Sequence, residues 1–236
     1  LRDRADSGNI ESLRRLCIEI RRNVLEMHAY SGSSHVGSAL SIVEILVALY
    51  FRTLHIDPEN ASSKDRDRFI LSKGHACAAL YATLAHRGFI DRNKLREFCR
   101  DGGCLPGHVT IGTIPGVEAT TGSLGHGLSI GVGMSYALKH DKMVPRVFVL
   151  LSDGECDEGS TWEAAMFASH HRLDNVTAIV DYNKLQSFGR VEEVIQLEPF
   201  AKKWRAFGWV EKEVNGHDLI GLISILKKVP FEKNKP

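Results

Sequence analysis

The sequence predicts an α/β protein built on a parallel sheet with helices on both faces. Two unbroken apolar runs, residues 147–151 and 176–180, carry that expectation. Each ends in small or acidic residues: Ser152-Asp153-Gly154 after the first, Asp181-Tyr182-Asn183 after the second. Unbroken apolar runs suit strands buried on both faces, as parallel strands are. The third observation is alternation. Helical and strand patterns follow one another along the chain, which implies right-handed crossovers between parallel strands. The 236 residues, 43% of them hydrophobic, suffice for one large domain with a substantial core. No internal repeat, low-complexity tract or linker divides them, so residues 1–236 read as a single domain.

Taken in order, Leu13, Leu16, Cys17, Ile20, Val24 and Met27 recur at helical spacing with Glu and Arg between them, an amphipathic helix over residues 10–30. A small-residue loop, 30–38, follows and contains His35. Residues 41–54 are apolar on most sides and read as a buried helix. Residues 68–72 form a short strand that runs through Lys73-Gly74-His75 into a helix of small residues. Residues 91–100 read as a short amphipathic helix, and Pro106-Gly107-His108 as a turn. The segment from Ala119 to Gly127 opens a helix with four glycines between positions 125 and 133. Each helix glycine costs about 1 kcal/mol relative to Ala, so close approach to a neighbouring helix or to a ligand is expected. A helix from about Asp157, another over 200–207, a third strand over 208–214 and a helix over 219–228 complete the pattern.

In an open α/β sheet, ligands collect beyond the carboxyl ends of the strands. Asp153 and Asn183 should therefore sit side by side on neighbouring loops. A carboxylate and an amide carbonyl are hard oxygen donors that suit magnesium or calcium, and magnesium takes few protein carboxylates beside phosphate and water oxygens. Gly154 permits close backbone approach, and a following helix offers N–H groups to a phosphate. The same residues also suit local work, with Asp153 as a helix cap and Asn183 in a turn.

Net charge is +1, which favours neither nucleic acid nor a membrane surface. The longest apolar stretch, 40–51, contains Glu44 and is too short for a bilayer. Residues 1–6 are charged and lack a signal peptide's apolar core. Five scattered cysteines without a Cys-x-x-Cys read as reduced structural thiols. A cytoplasmic protein is the expectation.

Five segments together resemble one family, the transketolases: Ser31-Gly32 with His35-Val36-Gly37; Ser72-Lys73-Gly74-His75-Ala76-Cys77; Leu105-Pro106-Gly107-His108; Thr120-Thr121-Gly122-Ser123-Leu124-Gly125-His126-Gly127; and Asp153-Gly154 with Asn183 thirty positions on. The family has Gly where this chain has Ser152. The resemblance implies a thiamine-diphosphate-binding fold, specifically its diphosphate-binding domain. It implies thiamine diphosphate and Mg2+ (with Ca2+ as a substitute), the metal held by Asp153, Asn183 and the Leu185 carbonyl. Cofactor contacts would come from His75, Gly122, Ser123, Leu124, Gly154, Glu155 and Asn183. Catalytic roles fall to His35, His75, His108 and Glu158. No role carries over to His126, which stands where many members have Gln. The family's pyrimidine-binding domain is not in these residues. The resemblance therefore implies the N-terminal subunit of a split transketolase, completed by a C-terminal pyrimidine-binding subunit in an α2β2 assembly and acting on sugar phosphates. Three alternatives stand beside it: a magnesium protein without thiamine, a non-catalytic partner protein, and a deoxyxylulose phosphate synthase-like subunit.

Overall fold

The computed structural model describes residues 9–236; the charged stretch 1–6 lies outside the described residues. Helices α1 (Ile10–Ser31), α2 (Val36–Ser41) and α3 (Val43–Ala48) precede strand β1 (Arg68–Leu71) and α4 (Cys77–Arg87). Then come α5 (Gly127–His140), β2 (Val147–Ser152), α6 (Gly159–His170) and β3 (Val176–Asp181). A small hairpin, β4 (Leu185–Gln186) and β5 (Gly189–Arg190), leads to α7 (Val191–Val194), α8 (Phe200–Ala206) and α9 (Leu219–Leu226). The chain divides into two compact units. One comprises the residues up to Arg66, His75–Thr120 and Val214–Lys228; the other comprises Asp67–Gly74, Thr121–Glu213 and Val229–Pro236.

The first unit is helical. In α1, Leu13, Cys17, Ile20, Val24 and Met27 are buried, the stripe its periodicity requires. Its ends are capped as the sequence dictates: the Asn9 side chain accepts from Glu11 N, and Gly32, at φ 66°, returns its N–H to the His28 carbonyl. Helix α1 packs on α4 and α3, and α3 packs on α9. The single helix expected over 41–54 is instead three pieces. Helical backbone begins at Val36, because His35 in the left-handed region serves as N-cap. It breaks at Ile42 (φ −107°, ψ 7°) and widens into a π-helical turn over Leu49–Thr53. Burial outweighs the poor helix propensity of Gly37 and Ser38, since Ile42, Val43, Leu46 and Val47 are wholly buried. The helix expected over 91–100 is a 3-10 segment, Arg92–Glu97, capped by Asp91.

The second unit holds the parallel sheet, in order β1-β2-β3. Leu71 pairs with Leu150, and Ser152 with Asp181, so the loops after the three strands leave one edge. Strand β2 is buried at every residue. Residues 177–180 of β3 are only half-buried, although their apolar run matched that of β2. Among the described residues β3 pairs on one side only, and unlike the other such strand, β1, which is buried from Phe69 to Leu71, it stays half-covered. Helix α5 lies against β2, and Leu128 and Val132 join Ile70, Val147 and Val149 in the core. A Cβ on Gly131 would meet Val149 Cγ2 at 2.4 Å. Gly131 thus answers to a strand, not to a neighbouring helix, whereas Gly133 meets nothing within 4 Å. The helix expected from Asp157 starts at Gly159, after a 3-10 turn over Gly154–Asp157. No ladder forms over 208–214. Trp209 turns inward and donates its indole N–H to the Ala165 carbonyl (3.0 Å), and Val210 N donates to the Pro236 carbonyl (3.0 Å). Alternation makes a segment extended; a strand also needs an edge to pair with.

Candidate functional site

At the carboxyl edge of the sheet, the loops after β2 and β3 are joined. Asp153, 2% exposed, accepts from Lys184 N through Oδ2 (2.9 Å) and from Gly154 N through Oδ1 (2.8 Å). Burial, and secondarily the charge of Asp181, push its carboxyl up against the two backbone donors that hold it down. Asn183 is exposed. Its Oδ1 accepts from Leu185 N (3.0 Å) and its Nδ2 donates to Asp181 Oδ2 (3.1 Å). Both local roles read in the sequence, a cap and a turn, are therefore present. They also gather a carboxylate and an amide oxygen on adjoining loops. Lys184 follows with φ 64°, a left-handed residue inside the motif.

Two charged residues that the motifs did not single out complete this edge. Lys73 is wholly buried, and its Nζ lies 2.6 Å from Asp181 Oδ2. The signal was a lysine inside the strand-end stretch Ser72-Lys73-Gly74: a buried ammonium needs a counter-charge, and Asp181 closes the neighbouring apolar run. One Asp181 oxygen thus receives both Lys73 and Asn183.

The segment Thr121–Gly127 is fastened beside these loops. Thr121 Oγ1 donates to the Leu71 carbonyl (2.6 Å), and a Cβ on Gly74 would meet the Thr121 carbonyl oxygen at 2.3 Å. Ser123 is exposed, while Gly122 and Leu124 are half-buried. Glu155 departs from the expected pattern. It is fully buried, and its oxygens accept from Ser72 Oγ, Gly125 N (3.1 Å) and Ser152 N (3.0 Å). Glu158 is exposed at the N-cap of α6. His126 is exposed, its Nδ1 3.1 Å from the Leu124 carbonyl.

In the helical unit, three histidines gather. The His35 ring lies 5.1 Å from that of His75 and 6.0 Å from that of His108, centroid to centroid. His35 is held at φ 73°. The His108 loop is pinned by Tyr81, whose hydroxyl donates to the His108 carbonyl (3.1 Å), and by Cys77, whose thiol donates to the Gly107 carbonyl (3.1 Å). His35 is exposed, yet partial burial lowers its pKa, and His108 adds to the effect.

The donors suit a hard cation and its phosphate. Asp153 and the Asn183 and Leu185 carbonyls all offer oxygen donors. Ser152 Oγ and Asp157 Oδ1, on either side of the Asp153-Gly154 turn, are buried without a hydrogen-bond partner, so polar capacity is left over at this edge. No cluster of three His, Cys, Asp or Glu side chains able to hold a metal occurs among the described residues. Nor is any described helix long and apolar enough to cross a membrane.

Fold and donors define the class: an α/β protein with a parallel sheet flanked by helices and its polar groups gathered at the strands' carboxyl edge. The profile of one family, "Transketolase, thiamine diphosphate binding domain", matches residues 13–236. A 6-deoxy-6-sulfo-D-fructose transketolase subunit of Clostridium sp. (strain MSTE9) is 44% identical over 92% of this chain and 79% of its own length. An apulose-4-phosphate transketolase subunit of Phocaeicola vulgatus is 41% identical over 96% of this chain and 80% of its own. The crystal structure of transketolase from Campylobacter jejuni superposes with a TM-score of 0.89 at 31% identity, over 97% of this chain. The chain spans only 37% of that solved protein. The chain belongs to the transketolase family, in its thiamine diphosphate binding domain.

Proposed function

We propose that this chain is the diphosphate-binding, N-terminal subunit of a two-polypeptide transketolase that uses thiamine diphosphate and Mg2+. With a C-terminal pyrimidine-binding subunit, in an α2β2 assembly, it moves a two-carbon ketol unit from a ketose phosphate to an aldose phosphate. The observation that carries the reading is the join of Asp153 to the Asn183 loop, the Asp153 carboxylate 2.9 Å from Lys184 N, at the ends of adjacent parallel strands. The higher identity to proteins named as subunits supports the split form. The family profile, continuous over 13–236, supports treating the chain as one domain. Five free cysteines suit a cytoplasmic setting.

When bound, the thiazolium cofactor supplies the electron sink for breaking a carbon–carbon bond beside a ketone. Asp153, Asn183 and the Leu185 carbonyl would hold the metal. Gly154 N–H is given to Asp153 Oδ1 in the protein as it stands; the reading requires that bond to be exchanged for one to phosphate. Gly122, Ser123 and Leu124 would flank the cofactor, and His75 would lie beside its diphosphate. His35 and His108 would take and return protons at substrate hydroxyls, work that suits an imidazole. Glu158 would face the partner subunit. The relatives are named for a sulfonated ketose and for apulose 4-phosphate, which supports a modified sugar as substrate beside the ordinary pentose phosphates.

The test is a ketol-transfer assay of the chain with its co-expressed C-terminal partner, across xylulose 5-phosphate, apulose 4-phosphate and 6-deoxy-6-sulfofructose. Turnover of one donor, dependent on both polypeptides and on thiamine diphosphate, is expected. Turnover by neither chain nor complex, with cofactor bound, would favour the non-catalytic partner.

A further inference from the structure

Glu155 is fully buried, and its hydrogen bonds run to three different segments. Ser72 closes β1, Ser152 closes β2, and Gly125 belongs to the turn that precedes α5. All three partners are donors, so a carboxylate satisfies them together and a neutral amide cannot. Gly125 is gripped at its carbonyl as well, which accepts from Ser160 Oγ (2.8 Å). Gly125 has φ 81°, and a Cβ there would meet Ser160 Oγ at 2.6 Å and Glu158 Cβ at 2.7 Å. The turn is thus held at one residue, its N–H by a buried acid and its carbonyl by a hydroxyl. Residues Gly122, Ser123 and Leu124 lead directly into that residue.

We propose that Glu155 is a positioning residue: it locks the Gly122–Gly125 turn onto the ends of β1 and β2 and touches no cofactor itself. Its carboxylate is fully buried and already accepts three hydrogen bonds from the protein. Glu155 sits two positions from Asp153, so the same short turn that offers a metal ligand also sets the distance to the 122–124 segment. This rests on the reading of that segment as a cofactor contact.

Two measurements test it. The first is hydrogen exchange at the Gly125 amide in the cofactor-free chain. Removing both acceptor oxygens should speed that exchange about tenfold or more in Glu155→Met, with the β2 interior amides unchanged. Ser160→Ala, which frees the carbonyl of the same residue, should move it in the same direction and serves if Glu155→Met does not fold. The second is calorimetry and kinetics of the two-subunit complex. Affinity for thiamine diphosphate with Mg2+ should fall about tenfold in both variants, with kcat at saturating cofactor kept. Unchanged exchange at Gly125 overturns the clamp. Faster exchange with unchanged cofactor affinity overturns its positioning role, and a collapse of kcat at saturating cofactor would put Glu155 in contact with the chemistry. Failure of the unsubstituted complex to bind thiamine diphosphate would defeat the proposed function, while the exchange measurement still decides whether the clamp exists.

Discussion

Replacing Lys73 by Met should be among the most damaging single changes to the sheet-bearing unit. The Lys73 side chain is wholly buried and Asp181's is 9% exposed, with Nζ to Oδ2 at 2.6 Å. Methionine fills nearly the same volume, so packing is kept and only the charge is lost. What remains is a buried carboxylate whose cation has gone, at a cost of about 3–5 kcal/mol. For a chain of this size, each kcal/mol corresponds to roughly 2–4 °C in Tm, so a fall of about 6–20 °C is expected. Removing both charges, as in Lys73→Met with Asp181→Leu, should recover most of the loss, because an apolar pair of similar volume is close to neutral. Metal affinity should not recover with it, since Asn183 Nδ2 then lacks the Asp181 acceptor that fixes which way its amide faces. Urea unfolding of the three proteins, with calorimetric Mg2+ titration in the presence of thiamine diphosphate, separates the two effects. A Lys73→Met variant within 1 kcal/mol of the parent would mean that the carboxylate is solvated, and the reasoning would fail.

Other predictions follow from particular contacts. The His35 imidazole should titrate by NMR below the ordinary 6.5, because burial disfavours its charged form. His108→Ala should raise that midpoint without restoring it, since burial is the larger cause. With a lowered folded pKa, the unfolded chain binds more protons between the two values, so the His35 contribution to stability is complete above 6.5 and shrinks as pH falls through that window. Gly127→Ala should cost about 1–3 kcal/mol, as its Cβ would meet Ser72 Oγ at 2.2 Å and Ser72 Cα at 2.7 Å. Gly133→Ala, in the same helix with nothing within 4 Å, should instead stabilise by about 0.5–1 kcal/mol; urea midpoints of the two would show the opposite signs.

What could be read from the residues alone divides along a physical line. Apolar period is local, so α1 and the runs of β1, β2 and β3 were legible. So was the join of Asp153 to the Asn183 loop, because both residues end runs that parallel pairing makes neighbours. The fragmentation of 36–53 was not, since a π turn and a break at Ile42 reflect how side chains are packed rather than which are present. Residues 208–214 alternate as a strand does, yet Trp209 and Val210 find partners in Ala165 and Pro236 and leave no ladder. Glu155 and Lys73 were hardest, because their partners are far away in sequence: Gly125 and Ser72 for one, Asp181 for the other. A buried charge announces that it needs a partner without saying where.

Calorimetric titration of thiamine diphosphate with Mg2+, into the chain alone and then into the chain with its C-terminal partner, tests the central claim most directly. The account predicts tight, Mg2+-dependent binding with the partner, lost in Asp153→Ala. Tight binding by the chain alone would contradict the shared-site arrangement. Absence of binding in both, or binding indifferent to Asp153, would contradict the assignment of the cofactor to these strand ends.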